Sequence, residues 1–105
     1  MANQISGQIT VTTAGTAVAG PSSIQPGLFE FTPVHGNTGD YCYVGNDSAN
    51  DVSSSTGYHI KKDGTPLLMA INDLSKVYFD SDTNGDKIAW VRVASISAQS
   101  YPATA

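Results

Sequence analysis

Cysteine and basic residues are scarce in this 105-residue chain. Cys42 is the single cysteine, which excludes an intrachain disulfide and a zinc site built from several thiolates. We predict that Cys42 packs as a small buried apolar residue, in a protein assembled in a reducing cytoplasm. The basic residues are five and scattered: Lys61, Lys62, Lys76, Lys87 and Arg92. Nucleic-acid binding needs a clustered basic face, and the net charge is −4, so we predict no nucleic-acid partner.

Catalytic signatures are also missing. His35 and His59 are the only histidines, and neither a Gly-x-Ser-x-Gly elbow nor a His-Glu-x-x-His pattern occurs. Glu30 is the single glutamate, which disfavours a pair of glycosidase carboxylates. We therefore predict that the chain is not an enzyme and binds no cofactor.

Long hydrophobic runs and a leader are absent as well. The first ten residues contain no basic region followed by an apolar one, so they do not predict a secretory signal. No apolar run approaches the roughly 20 residues of a membrane helix. We expect no membrane partner.

What the chain does contain is turn chemistry between short alternating runs. Eight of its nine acidic residues are Asp, and Asp, Ser and Thr favour turns over helices. Turn signals every 8–12 residues or so favour an all-β fold of about eight short strands. We predict a single small β-sandwich of jelly-roll type, or a β-barrel, with extended termini. The predicted strands are Gln8–Thr13, Thr16–Ala19, Leu28–Val34, Tyr41–Gly45, Tyr58–Lys61, Leu67–Ile71, Lys76–Asp80 and Ile88–Val93. The first two should form a hairpin across Ala14 and Gly15.

Charge is confined to the middle of the chain. Residues 1–29 and 93–105 carry no charged side chain. We divide the chain into an N-terminal arm (1–7), a sandwich domain (8–96) and a C-terminal tail (97–105). The uncharged ends are either unstructured or locally packed segments, or arms that dock on a neighbouring subunit.

The segment from Leu74 to Val93 is the most informative stretch. Two alternating apolar runs flank a loop rich in Asp, Asn and Gly, which predicts a β-hairpin. The loop residues Asp80, Asp82, Asn84 and Gly85 match positions 1, 3, 5 and 6 of a calcium loop, with Asp86 next to them. Position 12 is Val91, so the bidentate ligand is missing. The loop is either a calcium site or a turn whose Asp side chains cap free N–H groups.

Trp90 is the only tryptophan, and alternation puts it on one face of its strand with Ile88 and Arg92. We expect the smaller residues Ala89, Val91 and Val93 to face the core. Trp90 would then pack in the core, lie at a partner interface or form a sugar-binding platform. The residues proposed for a partner interface are Ile5, Ile9, Trp90, Arg92 and Tyr101.

Five segments in order carry a resemblance to a known class of proteins. They are GQITVTTAGTAV, GNTGDYCYVGN, DVSSSTGYHI, PLLMAI and NDLSKVYFDSDTNGDKIAWV. From about Gln8 to Val93 the chain resembles the small virion proteins of tailed bacteriophages that decorate or cement the capsid. Related domains also occur in phage tail and fibre proteins. The resemblance brings no catalytic residues with it.

This resemblance implies a small β-sandwich, often a trimer at threefold positions of an icosahedral shell. The expected function is decoration and stabilisation of the capsid by bridging neighbouring copies of the major capsid protein. The expected location is the outer surface of the virion, after assembly in the host cytoplasm. The alternative is a tail or fibre domain that contacts host surface glycan through Trp90 and the loop Asn46–Gly57.

Overall fold

Two four-stranded antiparallel sheets pack face to face in the computed structural model, which describes residues 4–95. Turn-rich segments separate the strands, and in this part of the chain the one helical element is a 3-10 turn at Leu74–Lys76. The strands are β1 (Ser6–Thr10), β2 (Val18–Ala19), β3 (Gly27–Pro33), β4 (Tyr41–Gly45), β5 (Tyr58–Lys61), β6 (Leu67–Ile71), β7 (Tyr78–Ser81) and β8 (Lys87–Ser95). The predicted all-β sandwich is confirmed, and β4, β5 and β6 have the predicted bounds.

The order of the strands is that of a jelly roll. The first sheet is β1-β8-β3-β6 and the second is β2-β7-β4-β5. Each of the first four strands pairs with its counterpart in the last four: β1 with β8, β2 with β7, β3 with β6 and β4 with β5. The first half of the chain therefore pairs with the second half, and the chain reverses at residues 46–57, the connection between β4 and β5.

Both predicted hairpins are wrong. β1 pairs with β8 and β2 pairs with β7, so the first two strands lie in different sheets. β7 and β8 are likewise split between the sheets, and the loop between them crosses from one sheet to the other. Turn residues predict that the chain reverses, but they do not say whether the next strand pairs with the last one or crosses the core. Phe79 of β7 and Ile88 of β8 are both buried, and they enter the core from opposite sheets. Burial of these two side chains therefore favours the crossing connection over a hairpin.

The core lies between the two sheets and is rich in aromatic residues. Phe29, Phe31 and Phe79 are fully buried, and the ring centroids of Phe31 and Phe79 lie 5.3 Å apart across the sandwich. Burying each such side chain contributes about 1.5–3 kcal/mol relative to exposure. Ile9 on β1 and Phe29 and Phe31 on β3 are buried and form the inward faces of these two strands.

Trp90 belongs to this core. It is 3% exposed, and its ring centroid lies 5.7 Å from that of Phe29. The expectation that the smaller residues of β8 face inward is wrong, since Ala89 and Val91 lie on the outer side. Ile88 and Trp90, the large side chains on the inner side of β8, fill the space between the two sheets.

The loop 46–57 is held to the domain by its own polar side chains. The Asp51 carboxylate accepts hydrogen bonds from the backbone N–H groups of Asn46 (3.2 Å) and Asp47 (2.7 Å). Val52, the one large apolar residue of the loop, is buried. His59 on β5 contacts the carbonyl oxygen of Ser54 through Nε2 at 2.8 Å. The loop is therefore an organised part of the surface beside β4 and β5.

Candidate functional site

The Asp80–Asp86 loop uses its carboxylates to accept backbone hydrogen bonds. Asp86 is 4% exposed and receives the N–H groups of Thr38 (3.0 Å) and Gly39 (2.9 Å) through its two oxygens. Asp80 is 3% exposed and receives the N–H groups of Gly15 (3.0 Å) and Ser81 (2.8 Å). These contacts fasten the β1–β2 and β3–β4 connections to the β7–β8 connection.

Two further oxygens of the predicted metal site also accept hydrogen bonds. Asn84 Oδ1 accepts the N–H of Ala14 at 2.7 Å, and Asp82 accepts a hydrogen bond from the hydroxyl of Tyr43. Within residues 4–95, no group of three or more His, Cys, Asp or Glu side chains is arranged to hold a metal ion. The geometry supports the turn-capping interpretation of this loop, in which side-chain oxygens satisfy N–H groups of the β1–β2 and β3–β4 connections.

Asn37 links distant parts of the chain by hydrogen bonds, and the sequence does not predict this role. Its side chain spans the backbone of Lys87, donating from Nδ2 to the carbonyl oxygen and accepting the N–H at Oδ1, both at 2.8 Å. Its own carbonyl oxygen accepts from Lys62 Nζ at 2.6 Å. A turn signal, His35-Gly-Asn-Thr-Gly, surrounds it, but that signal does not reveal a partner fifty residues away.

Buried ionisable groups lie beside these carboxylates. Burial, aided by the negative charges of Asp86, Asp82 and Asp80, raises the pKa of the Cys42 thiol to about 12. Burial also raises the pKa of Tyr43, as does its hydrogen bond to Asp82. Cys42 is fully buried, as predicted, and a protonated buried thiol is a poor nucleophile.

The two histidines are held on the surface. His35 Nδ1 lies 2.8 Å from the Asp63 carboxylate, with side-chain exposures of 88% and 54%. His59 faces outward, as alternation with the buried Ile60 predicts, and packs its ring edge against Tyr43 with centroids 4.9 Å apart. Such exposed pairs contribute little to stability.

The proposed interface residues do not come together as one surface. Ile9 and Trp90 lie in the core, at 6% and 3% exposure, so the prediction that they contact a partner is wrong for the folded chain.

The other candidates lie nearer the surface. Arg92 donates from Nε to the carbonyl oxygen of Pro26 at 3.0 Å and from Nη2 to Ser95 Oγ at 3.2 Å. Ile5 is 57% exposed and remains available. Tyr101 and the predicted tail 97–105 lie outside the described residues.

The outward side of the β1-β8-β3-β6 sheet, called here the outer face, carries mainly uncharged side chains. Cross-strand rows place Gln8 beside Ala89 and Thr32, and Glu30 between Val91 and Leu68. A further row on this face runs from Ala94 through Leu28 to Ala70.

Glu30 is the one charged residue near the centre of the outer face, while Lys87 lies at one end beside Thr10. Leu68 is 54% exposed.

Comparisons with known proteins identify no relative. No protein-family model, curated protein or solved structure matches the chain. Among residues 4–95, no helix has the length and apolarity needed to cross a membrane. Function is therefore inferred from the fold and its surfaces.

Proposed function

We propose that this chain is a non-enzymatic structural protein of a bacteriophage virion, which binds the outside of the capsid and cements it. The observation that carries the proposal is the outer face, a sheet surface with apolar side chains and one central carboxylate. The residue-level resemblance to phage decoration proteins and the jelly-roll strand order support the same function. The predicted assembly is a trimer that contacts the major capsid protein.

The outer face suits a protein partner. Leu28, Val91 and Leu68 surround Glu30, so a partner would offer an apolar patch with one Lys or Arg opposite that carboxylate. Ala70, Ala89 and Thr32 are half-buried, and their short side chains allow close approach of another surface. Burying Glu30 without a cation would be unfavourable, and this requirement selects among partners.

The size of the outer face explains why attachment would be multivalent. Four strands about 4.8 Å apart and five residues about 3.3 Å apart cover only about 300 Å². A stable interface usually buries about 800 Å² on each partner. One face is therefore a weak contact, and several faces in a trimer would bind the shell far more tightly by avidity. Each copy would hold neighbouring capsid subunits together against outward pressure.

The proposal is tested by binding to purified capsids that lack this protein, before and after shell expansion. We expect saturable co-sedimentation with expanded capsids and density on their outer surface by electron microscopy. Leu68→Asp places a second carboxylate directly beside Glu30, so we expect binding to weaken at least about tenfold. Ser55→Asp adds the same charge in the exposed part of the loop 46–57 and should bind as the unaltered protein does.

Two outcomes would refute the proposal. One is the absence of binding to capsids in either state, and the other is equal weakening by Leu68→Asp and Ser55→Asp. The glycan-contact alternative loses its main residue because Trp90 is buried. Saturable binding of the protein to a host glycan, with no binding to capsids, would restore that alternative through other residues.

A further inference from the structure

Asn84 is the one asparagine of the chain that is followed directly by glycine. Both residues are exposed, and Gly85 has a positive φ of 85°, which glycine adopts without strain. Glycine has no side chain to hinder its backbone nitrogen, so this nitrogen can attack the side-chain amide of the asparagine before it. The step from Asn84 to Gly85 is therefore a candidate site of covalent modification.

Hydrogen bonds to the β1–β2 connection hold both reacting groups in place. The Gly85 N–H donates to the carbonyl oxygen of Val11 at 2.7 Å, and the Val11 N–H donates to the carbonyl oxygen of Asp86 at 2.8 Å. Val11 is fully buried, so these two bonds fix the Gly85 backbone against the core. Asn84 Oδ1 accepts the N–H of Ala14 at 2.7 Å. Attack on the amide requires Gly85 to leave Val11 and the Asn84 side chain to leave Ala14.

We propose that Asn84 is a deamidation site that the fold keeps closed, and that it reacts only when the β1–β2 and β7–β8 connections separate. In the open loop, the Gly85 nitrogen loses its proton to water and bonds to Asn84 Cγ. The bond from Cγ to Nδ2 breaks, and Nδ2 takes a proton from water and leaves as ammonia. The product is a cyclic succinimide. Water then adds to either ring carbonyl carbon, and the ring opens to aspartate or isoaspartate at position 84.

The two products have different effects on the loop. Aspartate keeps a side-chain oxygen that can accept the Ala14 N–H, and it adds a negative charge to a loop that already contains Asp82 and Asp86. Isoaspartate carries the backbone through the former side chain and lengthens it by one methylene, so the acceptor for Ala14 is lost. A chain that has once opened at this end of the sandwich thus keeps a covalent record of the opening. This inference does not depend on capsid binding.

The test compares the full-length protein with a synthetic peptide of residues 78–92 in the same mildly alkaline buffer. Peptide mapping by mass spectrometry, with an isoaspartate assay, measures conversion of Asn84. We expect the folded protein to react at least about tenfold more slowly than the peptide, because the loop must open first. The ratio of the two rates should match, within about threefold, the open fraction of the Gly85 amide from native-state hydrogen exchange. Asn50, which is exposed and followed by Asp51, is the internal control and should convert far more slowly than Asn84 does in the peptide.

Ala14→Pro removes the N–H that holds the Asn84 side chain. Ala14 and Gly15 are the central residues of a turn closed by a hydrogen bond from the Thr16 N–H to the Thr13 carbonyl oxygen, and φ of Gly15 is +91°. Proline suits the first central position of such a turn. Loss of one hydrogen bond should raise the deamidation rate of the folded protein at least about threefold. In the peptide, Gly85→Ala should slow the reaction, because the attacking nitrogen is then hindered.

Three results would overturn this inference. The first is equal conversion of Asn84 in the folded protein and in the peptide. The second is a ratio of the two rates that differs by more than about tenfold from the open fraction of the Gly85 amide. The third is an unchanged rate in Ala14→Pro when its circular dichroism matches that of the unaltered protein. The first two comparisons use only the unaltered sequence, so they decide the matter even if Ala14→Pro does not fold.

Discussion

Asn37 joins two distant parts of the chain through a single amide. Its side chain hydrogen bonds both backbone groups of Lys87, at the start of β8, as a neighbouring strand would. The N–H of Val34 also reaches the Lys87 carbonyl oxygen, at 3.0 Å. Asn37 therefore continues the β3–β8 pairing beyond the end of β3, where the chain has already turned away.

Asn37→Ala should destabilise the protein by about 2–3 kcal/mol, because it leaves the Lys87 N–H without its acceptor in a part-buried position. Asn50→Ala is the control, since Asn50 is exposed and bonds only within its loop, to Asp47. We expect that control to change stability by no more than about 0.5 kcal/mol. Urea unfolding of the two variants measures the difference. Equal effects would mean that Asn37 acts only as a turn residue.

The Cys42 thiol predicts how stability depends on alkaline pH. Burial, aided by the nearby carboxylates, raises its pKa from 9.0 to about 12 in the folded protein. Between about pH 9 and pH 12, the thiol ionises in the unfolded chain but stays protonated in the folded one. The free energy of unfolding should therefore fall as pH rises through this window, and Tyr43 acts in the same direction. Cys42→Ser should flatten the dependence in urea titrations between pH 8 and pH 11. An unchanged slope would contradict this assignment.

At the scale of elements, residues 80–86 hold two other connections in place through hydrogen bonds. Its carboxylates and amide accept N–H groups from the β1–β2 and β3–β4 connections, which lie at the same end of the sandwich. The sequence predicts a loop here and the side chains that cap it. It does not reveal which N–H groups are capped, because these lie about fifty to seventy residues away.

Asp86→Ala should lower the free energy of unfolding by about 2–4 kcal/mol, since two N–H groups lose a buried charged acceptor. We expect the same loss in calcium and in chelator. Asp63→Ala removes an exposed carboxylate paired with His35 and should cost no more than about 0.5 kcal/mol. Thermal unfolding of the three proteins in both buffers measures these effects. If calcium raises the melting temperature of the unaltered protein but not of Asp86→Ala, the loop is a metal site.

The inner and outer faces were only partly predictable. On β3, Phe29 and Phe31 alternate with Glu30 and Thr32, so the face that is buried can be read from the sequence. β8 is apolar on both faces, so alternation alone could not choose between Trp90 and Val91. The space between the sheets makes that choice, because Trp90 fills a volume beside Phe29 that Val91 would leave empty. Tertiary packing likewise decides that β7 and β8 separate.

At the scale of the whole molecule, the two halves of the chain pair only with each other. All six strand pairings in residues 4–95 join a strand before residue 46 to a strand after residue 57. We predict that fragments 1–54 and 55–105 are unfolded when separate and form the sandwich when mixed. Near-ultraviolet circular dichroism of Trp90 should show a fixed environment only in the mixture. A folded signal from either fragment alone would contradict this prediction.

Because the two halves of the chain pair only with each other, the strand pairing also limits when the protein can fold during translation. A ribosome that has released the first 45 residues has produced four strands, and none of them has a partner yet. Among the strands of residues 4–95, β1 is synthesised first and its partner β8 is synthesised last. Domains usually fold as units during synthesis, but this one has no pairing to begin until its second half emerges. Its apolar strands are exposed for most of translation, so the yield of native protein should depend on how quickly the second half is translated.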